Sequence, residues 1–320
     1  FYRYCDAHNP NEPFSGDIVR YWFPIDQYIG GIEHAILHLI YSRFWTKMMR
    51  SLGLIDWDEP VTNLFTQGMV IKDGAKMSKS KGNVVDPDEI VGRYGADTCR
   101  MFSLFAAPPE RELDWQETGV EGQYRFLGRV YRFVTRNLEK ARGIPQANGN
   151  AGAPLSEADR KVLRKLHLTI RKVTDDFETR WHFNTSIAAI MELMNEAQSR
   201  EAELTEASLP DVCGAVALML APFAPYLAQE LWTELGRDGL VFKQAWPAFD
   251  EALAREDAVE VPVQVNGKLR SRVTVPLGVA KEALEAAAME DAKVREWVAG
   301  KQIVKVVVVP DKLVNIVVKG

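Results

Sequence analysis

Residues 21–31, Tyr-Trp-Phe-Pro-Ile-Asp-Gln-Tyr-Ile-Gly-Gly, decide the fold of the first part of the chain. The apolar run 21–28 predicts a short strand that enters a turn at Gly30-Gly31. Apolar side chains then recur at helical spacing over 35–49, and 64–71 predicts a second strand. The order strand, glycine turn, helix, strand favours an α/β sheet, and we expect residues 1–110 to form that domain.

Two other regions follow the α/β segment. Apolar residues recur every three or four positions from 151 to about 237, with Ser156 as a candidate helix cap, so we expect a helical bundle over 111–254. The loop-like composition of 143–154 indicates a break between helices. The tail, 255–320, combines a hairpin turn at Asn266-Gly267, a helix over 281–298 and strands over 303–309 and 313–318, which predicts a small α+β domain.

Composition sets outer limits on function. The 320 residues include 39 Lys+Arg and 44 Asp+Glu, which gives a net charge of −5. The net charge of the whole chain therefore does not indicate a nucleic-acid partner. Three scattered cysteines without a Cys-x-x-Cys pair argue against a disulfide framework and a structural zinc site, and fit a reducing cytoplasm. The longest apolar stretch, 215–228, is too short and proline-broken to span a bilayer, so no membrane partner is expected.

The segment 73–83, Asp-Gly-Ala-Lys-Met-Ser-Lys-Ser-Lys-Gly-Asn, is the most informative for chemistry. Three lysines and two hydroxyls between flanking glycines predict a basic loop suited to a polyphosphate. Ammonium groups are compact charges that can stabilise a leaving pyrophosphate. A solvated basic surface loop is the alternative for such composition.

The string Lys76-Met77-Ser78-Lys79-Ser80 resembles the signature loop of class I aminoacyl-tRNA synthetases. Segments 26–35, 67–70, 86–88 and 93–98 look like the leucyl/isoleucyl/valyl subgroup, and the hairpin 263–270 is similar to the terminal domain of the bacterial leucyl enzymes. The resemblance covers essentially the whole chain. It implies the second half of a Rossmann-like nucleotide-binding domain, a helical tRNA-binding domain and a small C-terminal domain that contacts tRNA.

The resemblance also implies roles for individual residues. Lys76 and Lys79 would contact the ATP phosphates while the leucine carboxylate attacks the α-phosphate and pyrophosphate leaves with Mg²⁺. The amino acid would then pass to tRNA(Leu). The implied ATP-binding set is Gly30, Gly31, Glu33, His34, Met69, Val70, Lys76, Met77, Ser78, Lys79 and Ser80, and His38 would border the leucine pocket.

Physical reasons accompany three of these assignments. Gly30 and Gly31 leave room for a nucleotide close to the backbone, and Glu33 can accept hydrogen bonds from a ribose. His34 and His38 stand at i and i+4 on one predicted helix face, which is also metal-ligand spacing. The glutamate of a zinc protease motif is not between them, so we predict no metal. A structural histidine remains an alternative for His38.

Five cations follow one helix face. Arg125, Arg129, Arg132, Arg136 and Lys140 share that face, and the segment 121–142 carries a net charge of +4. This pattern predicts contacts to an RNA backbone, with a solvated face as the alternative.

A weaker basic patch lies in the tail. Lys268, Arg270 and Arg272 alternate along one predicted strand, so we expect them on one side of the sheet, either as tRNA contacts or as an ordinary polar face. We see no aromatic residues interleaved with these cations, and therefore expect no single-strand stacking.

The sequence departs from the family pattern in ways that limit the expected activity. The His-x-Gly-His signature and the editing domain, which normally precede the position of Phe1, do not occur in these residues, and 71–75 runs directly into the signature loop without a small inserted domain. We therefore expect a C-terminal portion of a cytoplasmic ligase that needs its N-terminal half to form leucyl-adenylate. A free-standing RNA-binding module and a portion of an isoleucyl or valyl enzyme are the alternatives.

Overall fold

A computed structural model describes residues 1–142, 155–254 and 258–319 of the chain. They form two compact units, Phe1–Phe249 and Asp250–Gly320. The predicted loop 143–154 lies outside the described residues. In the described ranges, no helix combines the length and apolarity that crossing a membrane requires.

The first part of the larger unit contains two small sheets. Its principal elements are α1 (Gly16–Trp22), β1 (Ile25–Gly31), α2 (His38–Ser51), β2 (Val61–Gln67), β3 (Val70–Lys72), β4 (Ala75–Lys76), α3 (Pro87–Tyr94), α4 (Ala96–Phe105) and β5 (Leu113–Asp114). Strands β1 and β2 are parallel and end together, with Gly31 opposite Gln67. Strand β3 lies between β4 and β5 in the second sheet. The predicted α/β character is confirmed.

Several predicted boundaries in this region are wrong. Tyr21 and Trp22 are the last residues of helix α1, so the strand starts only at Ile25 and includes both glycines. The strand predicted over 64–71 is two strands in different sheets. They separate at Gly68, where a Cβ would lie 1.9 Å from the Arg111 carbonyl oxygen, so only glycine fits against that backbone.

Helix α2 presents its apolar residues to the outside of this unit. The predicted helix 35–49 is a 3₁₀ turn, Ile32–Ile36, followed by α2. The Ile40 and Phe44 side chains are 53% and 63% exposed, whereas Ser42 and Thr46 are buried. A soluble helix normally buries its apolar stripe, so this face is unpartnered in the described part of the chain.

The helical bundle follows. Its helices are α5 (Glu117–Arg136), α6 (Leu138–Ala141), α7 (Glu157–Asp175), α8 (Phe183–Ser199), α9 (Leu209–Leu220) and α10 (Pro225–Glu234). Their buried apolar side chains form one continuous core. The predicted cap is confirmed, because Ser156 Oγ accepts the Asp159 amide at 3.0 Å, and Asp159 Oδ2 lies 3.4 Å from the Ser156 amide in return.

The smaller unit is an α+β domain, as predicted. After the short α11 (Glu251–Ala254), it contains β6 (Ala258–Val265), β7 (Lys268–Pro276), α12 (Lys281–Glu290), α13 (Ala292–Val298), β8 (Gln302–Val309) and β9 (Leu313–Lys319), with strand order β7-β6-β9-β8. Asn266 and Gly267 have φ angles of 49° and 76°, which confirms the predicted hairpin turn. The single helix predicted over 281–298 is two helices, because Asp291 caps α13 by accepting the Val294 amide.

Candidate nucleotide and nucleic-acid sites

The carboxyl ends of the parallel strands carry the first group of predicted site residues. Gly30 and Gly31 end β1, and Glu33 and His34 follow directly in the 3₁₀ turn. Ligands of parallel α/β sheets bind beyond the carboxyl ends of the strands. The chain therefore places these residues where an α/β fold receives a nucleotide.

Side chains of the chain itself occupy the space above the two glycines. A Cβ on Gly31 would lie 2.3 Å from Glu33 Oε2, and one on Gly30 would lie 3.3 Å from the Tyr28 ring. The absence of a Cβ at Gly31 thus allows the Glu33 carboxylate to fold back over the strand end. From the sequence, glycine is expected here because a ligand needs the room. The structure shows that the Glu33 side chain, which would hold the ligand, also needs that room.

The two histidines have different surroundings. The Nδ1 atom of His34 is buried and has no hydrogen-bond partner among the described residues, whereas the Nδ1 atom of the exposed His38 pairs with the Tyr28 hydroxyl at 2.9 Å. The backbone breaks its helical course at Leu37, with φ −120° and ψ −106°, so the predicted common helix face is wrong. The ring centroids are 6.4 Å apart and perpendicular. Across the described ranges, no three His, Cys, Asp or Glu side chains are grouped to hold a metal ion.

The end of β2 leads directly into the second predicted adenine contact. Met69 and Val70 follow β2 after Gly68, and Val70 opens β3. The Met69 carbonyl oxygen accepts the Leu113 amide at 2.9 Å, which anchors β5 beside it. Val70 is 41% exposed. The main chain at this point is fixed by sheet pairing, which suits a flat ligand such as a purine ring.

The signature loop begins with a tight hairpin. Asp73 and Gly74, with φ angles of 56° and 71°, join β3 to β4 and form the turn of the hairpin. The loop then continues through Met77 and Ser78 into a 3₁₀ turn, Lys79–Lys81, closed by Gly82 at φ 66°. The Ser78 and Ser80 hydroxyls are 2.6 Å apart.

The loop lysines are available for an anion. Lys76, Lys79 and Lys81 are exposed, and none of them forms an ion pair with another described residue. Preorganised but unpaired ammonium groups stabilise an incoming negative charge without first breaking an internal contact. Binding an anion is therefore the chemistry that this site supports most directly.

Asn83 is a functional candidate that the sequence reasoning missed. Its Oδ1 accepts the Ser78 amide at 2.9 Å, and its Nδ2 lies 3.2 Å from the Lys72 carbonyl, 3.4 Å from the Ala75 carbonyl and 3.3 Å from the Lys76 carbonyl. One side chain therefore ties both arms of the hairpin to the start of the lysine loop. An asparagine after Lys81-Gly82 resembles an ordinary turn residue in sequence, and only its contacts distinguish it.

The predicted arginine face lies on α5, and the structure divides its five cations into two groups. Arg136 donates to both carboxylate oxygens of Glu201, at 3.0 and 2.8 Å, which lowers the pKa of that carboxyl. Arg129 contacts Asn195 at 3.2 Å, and Lys140 on α6 donates to the Leu204 carbonyl at 3.1 Å.

The other two cations of this face are Arg125 and Arg132. Both are exposed, and neither side chain forms a hydrogen bond or ion pair within 1–142, 155–254 and 258–319. A cation without an internal partner can pair with a phosphate at no cost in broken contacts. These two arginines are therefore the strongest nucleic-acid candidates of the stripe.

A β-bulge interrupts the predicted alternation of basic residues in the small unit. Val263 and Gln264 are neighbours on β6 but pair with Ser271 and Leu269 on β7, so Arg270 is an extra, unpaired residue. An extra residue reverses the side to which the following side chains point.

The basic residues of β7 consequently lie on different sides of the sheet. Lys268 pairs with Val265, which is buried on the core side, whereas Arg272 pairs with Pro262 on the other side. Directly paired residues share a face, so the prediction of one basic face was wrong. The period-two rule fails here because it assumes an uninterrupted strand.

Two of the three basic residues also have internal partners. The Arg270 guanidinium lies 3.4 Å from the centroid of the Trp297 ring, and Arg272 donates to Glu260 at 3.0 Å. A cation over an indole face is attracted by the ring quadrupole.

Two protein-family models match the chain. The model of "tRNA synthetases class I (I, L, M and V)" matches residues 10–116, and the model of the "Anticodon-binding domain of tRNA ligase" matches 159–285.

Curated relatives match along the whole chain. A leucine–tRNA ligase of Solibacter usitatus is 60% identical over 319 residues, which are 100% of this chain and 38% of that protein. One of Syntrophobacter fumaroxidans is 50% identical over 324 residues, 99% of this chain and 39% of that protein. The chain thus spans about two fifths of the length of these relatives.

Solved structures show the same likeness. The ternary complex of Agrobacterium radiobacter K84 LeuRS with tRNA and LeuAMS matches with a TM-score of 0.77 and 38% identity, covering 100% of this chain and 41% of that chain. Mycobacterium tuberculosis methionyl-tRNA synthetase in complex with methionyl-adenylate matches with a TM-score of 0.55 and 21% identity over 74% of this chain and 49% of that chain, a likeness of fold alone.

Proposed function

The chain is homologous over its whole length to leucine–tRNA ligases, and from this premise we propose that it forms part of an enzyme that activates leucine with ATP and transfers it to tRNA(Leu). Within that enzyme it would supply the lysine-loop side of the ATP site and a helical surface for tRNA. It would act in the cytoplasm, where tRNA is charged for protein synthesis.

The observation that carries the proposal is the set of exposed lysines, unpaired among the described residues, on a tied loop that follows the β3–β4 hairpin. Lys79 and Lys76 would contact the ATP phosphates together with Mg²⁺, which would arrive with the nucleotide. Charge that grows on the departing pyrophosphate would meet donors already in place. Catalysis would thus consist of positioning and electrostatic stabilisation, without a covalent enzyme intermediate.

The strand ends would hold the rest of the nucleotide. Glu33 would accept hydrogen bonds from the ribose, and His34, which follows the strand end in the same 3₁₀ turn, would lie at the nucleotide. The main chain of Met69 and Val70 would lie beside the adenine. His38 would border the leucine side chain, with its ring held by the Tyr28 hydroxyl.

A further part of the enzyme would complete the nucleotide-binding domain. The two-stranded sheet exposes Ile29 and Leu64 to 54% and 52%, and α2 exposes Ile40 and Phe44. Parallel strands are normally covered on both faces, so exposed apolar side chains on both faces of this sheet and on α2 mark an interaction site. We propose that the N-terminal half of the ligase covers these residues and contributes the second ATP-gripping signature.

The tRNA would lie along the exposed face of α5. Arg125, Arg129, Arg132 and Arg136 would contact its phosphates, and Lys268, Arg270 and Arg272 would add contacts from the small unit. The partnerless Arg125 and Arg132 would contribute more than Arg136, which must first leave Glu201. Phosphate contacts of this type position the RNA without reading its sequence.

The direct test substitutes Lys79 in the full-length enzyme. We expect Lys79→Ala to lower the rate of leucine-dependent pyrophosphate exchange far more than it weakens ATP binding, because the contact strengthens as charge develops. Lys243→Ala, an exposed lysine outside the site, is the matched control.

Three results would refute the proposal. They are equal losses in rate and ATP affinity for Lys79→Ala, exchange that responds to isoleucine or valine in place of leucine, and leucine-dependent exchange by the isolated 320 residues. The first result would contradict the proposed role of Lys79, and the second would contradict leucine as the amino acid. The third would contradict the proposal that the chain needs the N-terminal half of the enzyme.

A further inference from the structure

A groove in the larger unit combines tyrosine rings with the two partnerless arginines of α5. It has a volume of about 510 Å³ and lies between the end of α3, the start of α4, the middle of α5 and the start of α10. The side chains that the argument uses are Tyr94, Tyr124, Tyr131, Tyr226, Arg125 and Arg132. The nucleotide site proposed above uses none of them.

The lining of the groove carries a net positive charge, because it contains Arg125 and Arg132 but only one carboxylate, that of Asp97. The Asp97 carboxylate accepts the Leu227 amide at 2.7 Å and the Tyr226 amide at 3.4 Å, so it neutralises the amino end of α10. Glu121, beside the groove, accepts the Tyr94 hydroxyl at 3.1 Å and lies 3.9 Å from Arg93. Arg125 and Arg132 thus have no carboxylate partner among the described residues.

Packing does not explain the tyrosines. Tyr226 is 73% exposed, Tyr124 53% and Tyr131 39%, although each has an apolar ring. Tyr94 and Tyr124 contact each other edge to face, with centroids 5.6 Å apart, and so hold a fixed aromatic wall. Exposed tyrosine and arginine together are typical of binding surfaces rather than of solvated faces.

The spacing of the two arginines favours a strand over a single small anion. Arg125 and Arg132 are separated by two helical turns, about 10 Å along the axis of α5. Separate phosphates of one polynucleotide can pair with each of the two arginines at this spacing. The rings beside them match bases, because unpaired bases stack on aromatic side chains in single-stranded RNA recognition.

We propose that this groove receives an unpaired segment of an RNA, with at least one base against the tyrosine rings and its phosphates on Arg125 and Arg132. The proposal rests on the proposed function, in which the RNA is tRNA(Leu), and adds a stacking subsite to its phosphate contacts. Tyr94 and Tyr226 are distant from α5 in sequence, and the fold brings them to it.

The test measures binding of a labelled tRNA(Leu) transcript to the full-length enzyme by fluorescence anisotropy over a series of NaCl concentrations. We expect Tyr226→Ala to weaken binding by about 5- to 150-fold at a fixed salt concentration without changing the salt slope. Tyr226→Phe keeps the ring and should bind within about twofold of the unsubstituted enzyme. Arg132→Ala should reduce the slope by about 1.

Controls separate the groove from general effects. Arg171→Ala removes an exposed arginine of α7, and Tyr4→Ala removes an 88% exposed tyrosine, and both should bind as the unsubstituted enzyme does. Tyr226 is largely exposed, so its substitution should leave the thermal unfolding midpoint unchanged.

Each other outcome overturns the inference in a recognisable way. Normal binding by Tyr226→Ala, or equal losses for Tyr226→Ala and Tyr226→Phe, would remove the stacking role. An equal effect of Tyr226→Ala on a fully base-paired hairpin RNA would indicate a backbone contact only. Failure of the unsubstituted enzyme to bind tRNA(Leu) would instead refute the tRNA partner of the proposed function.

Discussion

Asn83 offers a test of the loop geometry that does not depend on enzymatic activity. Its side chain accepts the Ser78 amide and donates to carbonyl oxygens at the base of the lysine loop. We expect Asn83→Ala to release the loop from the β3–β4 hairpin while the helical core remains folded. The released segment contains Lys79 and Lys81, whose peptide bonds are trypsin sites.

The contacts set the size of the effect. Oδ1 makes one bond of 2.9 Å, and the two N–H groups of Nδ2 share three acceptors at 3.2–3.4 Å, so the side chain makes at most three bonds. A net hydrogen bond contributes about 0.5–1.5 kcal/mol, and long, partly exposed bonds lie at the lower end. The loss is therefore about 2 kcal/mol, which raises the open population of the loop about 30-fold.

Limited proteolysis measures that population. When opening and closing are fast relative to cleavage, the cleavage rate follows the fraction of open loop. Mass spectrometry of the bond after Lys79 should show about 30-fold faster cleavage in Asn83→Ala. Asn83→Asp keeps the acceptor for the Ser78 amide but loses the donor. Its cleavage rate should therefore lie between the rates of the unsubstituted chain and of Asn83→Ala.

The matched control is Asn63→Ala, which removes one asparagine contact of 3.0 Å, to the Asp26 carbonyl, at a site remote in sequence from the loop. Its cleavage after Lys79 should equal that of the unsubstituted chain. Cleavage within twofold of the unsubstituted rate in Asn83→Ala would refute the reasoning, because the loop would then be held by other contacts.

Two further predictions concern titratable groups of the bundle. Burial tends to raise the pKa of Asp159, but hydrogen bonds from Ser208, Ser156 and Thr205 outweigh burial and hold the pKa below its ordinary 3.8. These bonds therefore stabilise the folded state above pH 3.8, and the stabilisation is lost as the pH falls through the folded pKa. Urea unfolding should show Asp159→Asn to be less stable by about 2 kcal/mol at pH 7, with the difference narrowing below pH 4; a constant difference down to pH 2 would contradict this. Burial raises the pKa of the Cys213 thiol to about 12, so about one part in 10⁴ of the thiol is thiolate at pH 8. Iodoacetamide should therefore modify Cys213 only after unfolding. Mass spectrometry of folded and denatured samples checks this.

Features that depend on neighbouring residues could be predicted from the sequence. The turns at Asp73-Gly74 and Asn266-Gly267 need positive φ, which these residue types supply, and the Ser156 cap needs only the next turn of helix. The arginine stripe of α5 follows from the helical period alone. The signature loop is likewise a contiguous string, so its lysines were recognisable before its shape was known.

Features that depend on distant residues were decided by the tertiary structure. The bulge at Arg270 is visible only against the register of β6, and it places Lys268 and Arg272 on opposite sides of the sheet. The hold of Asn83 on the loop depends on carbonyl groups up to 11 residues away, and the tyrosines of the groove come from helices more than 100 residues apart. The sequence determines local backbone preference and periodicity, whereas packing between elements determines which side chains meet, because the energy of those contacts depends on partners that no local pattern specifies.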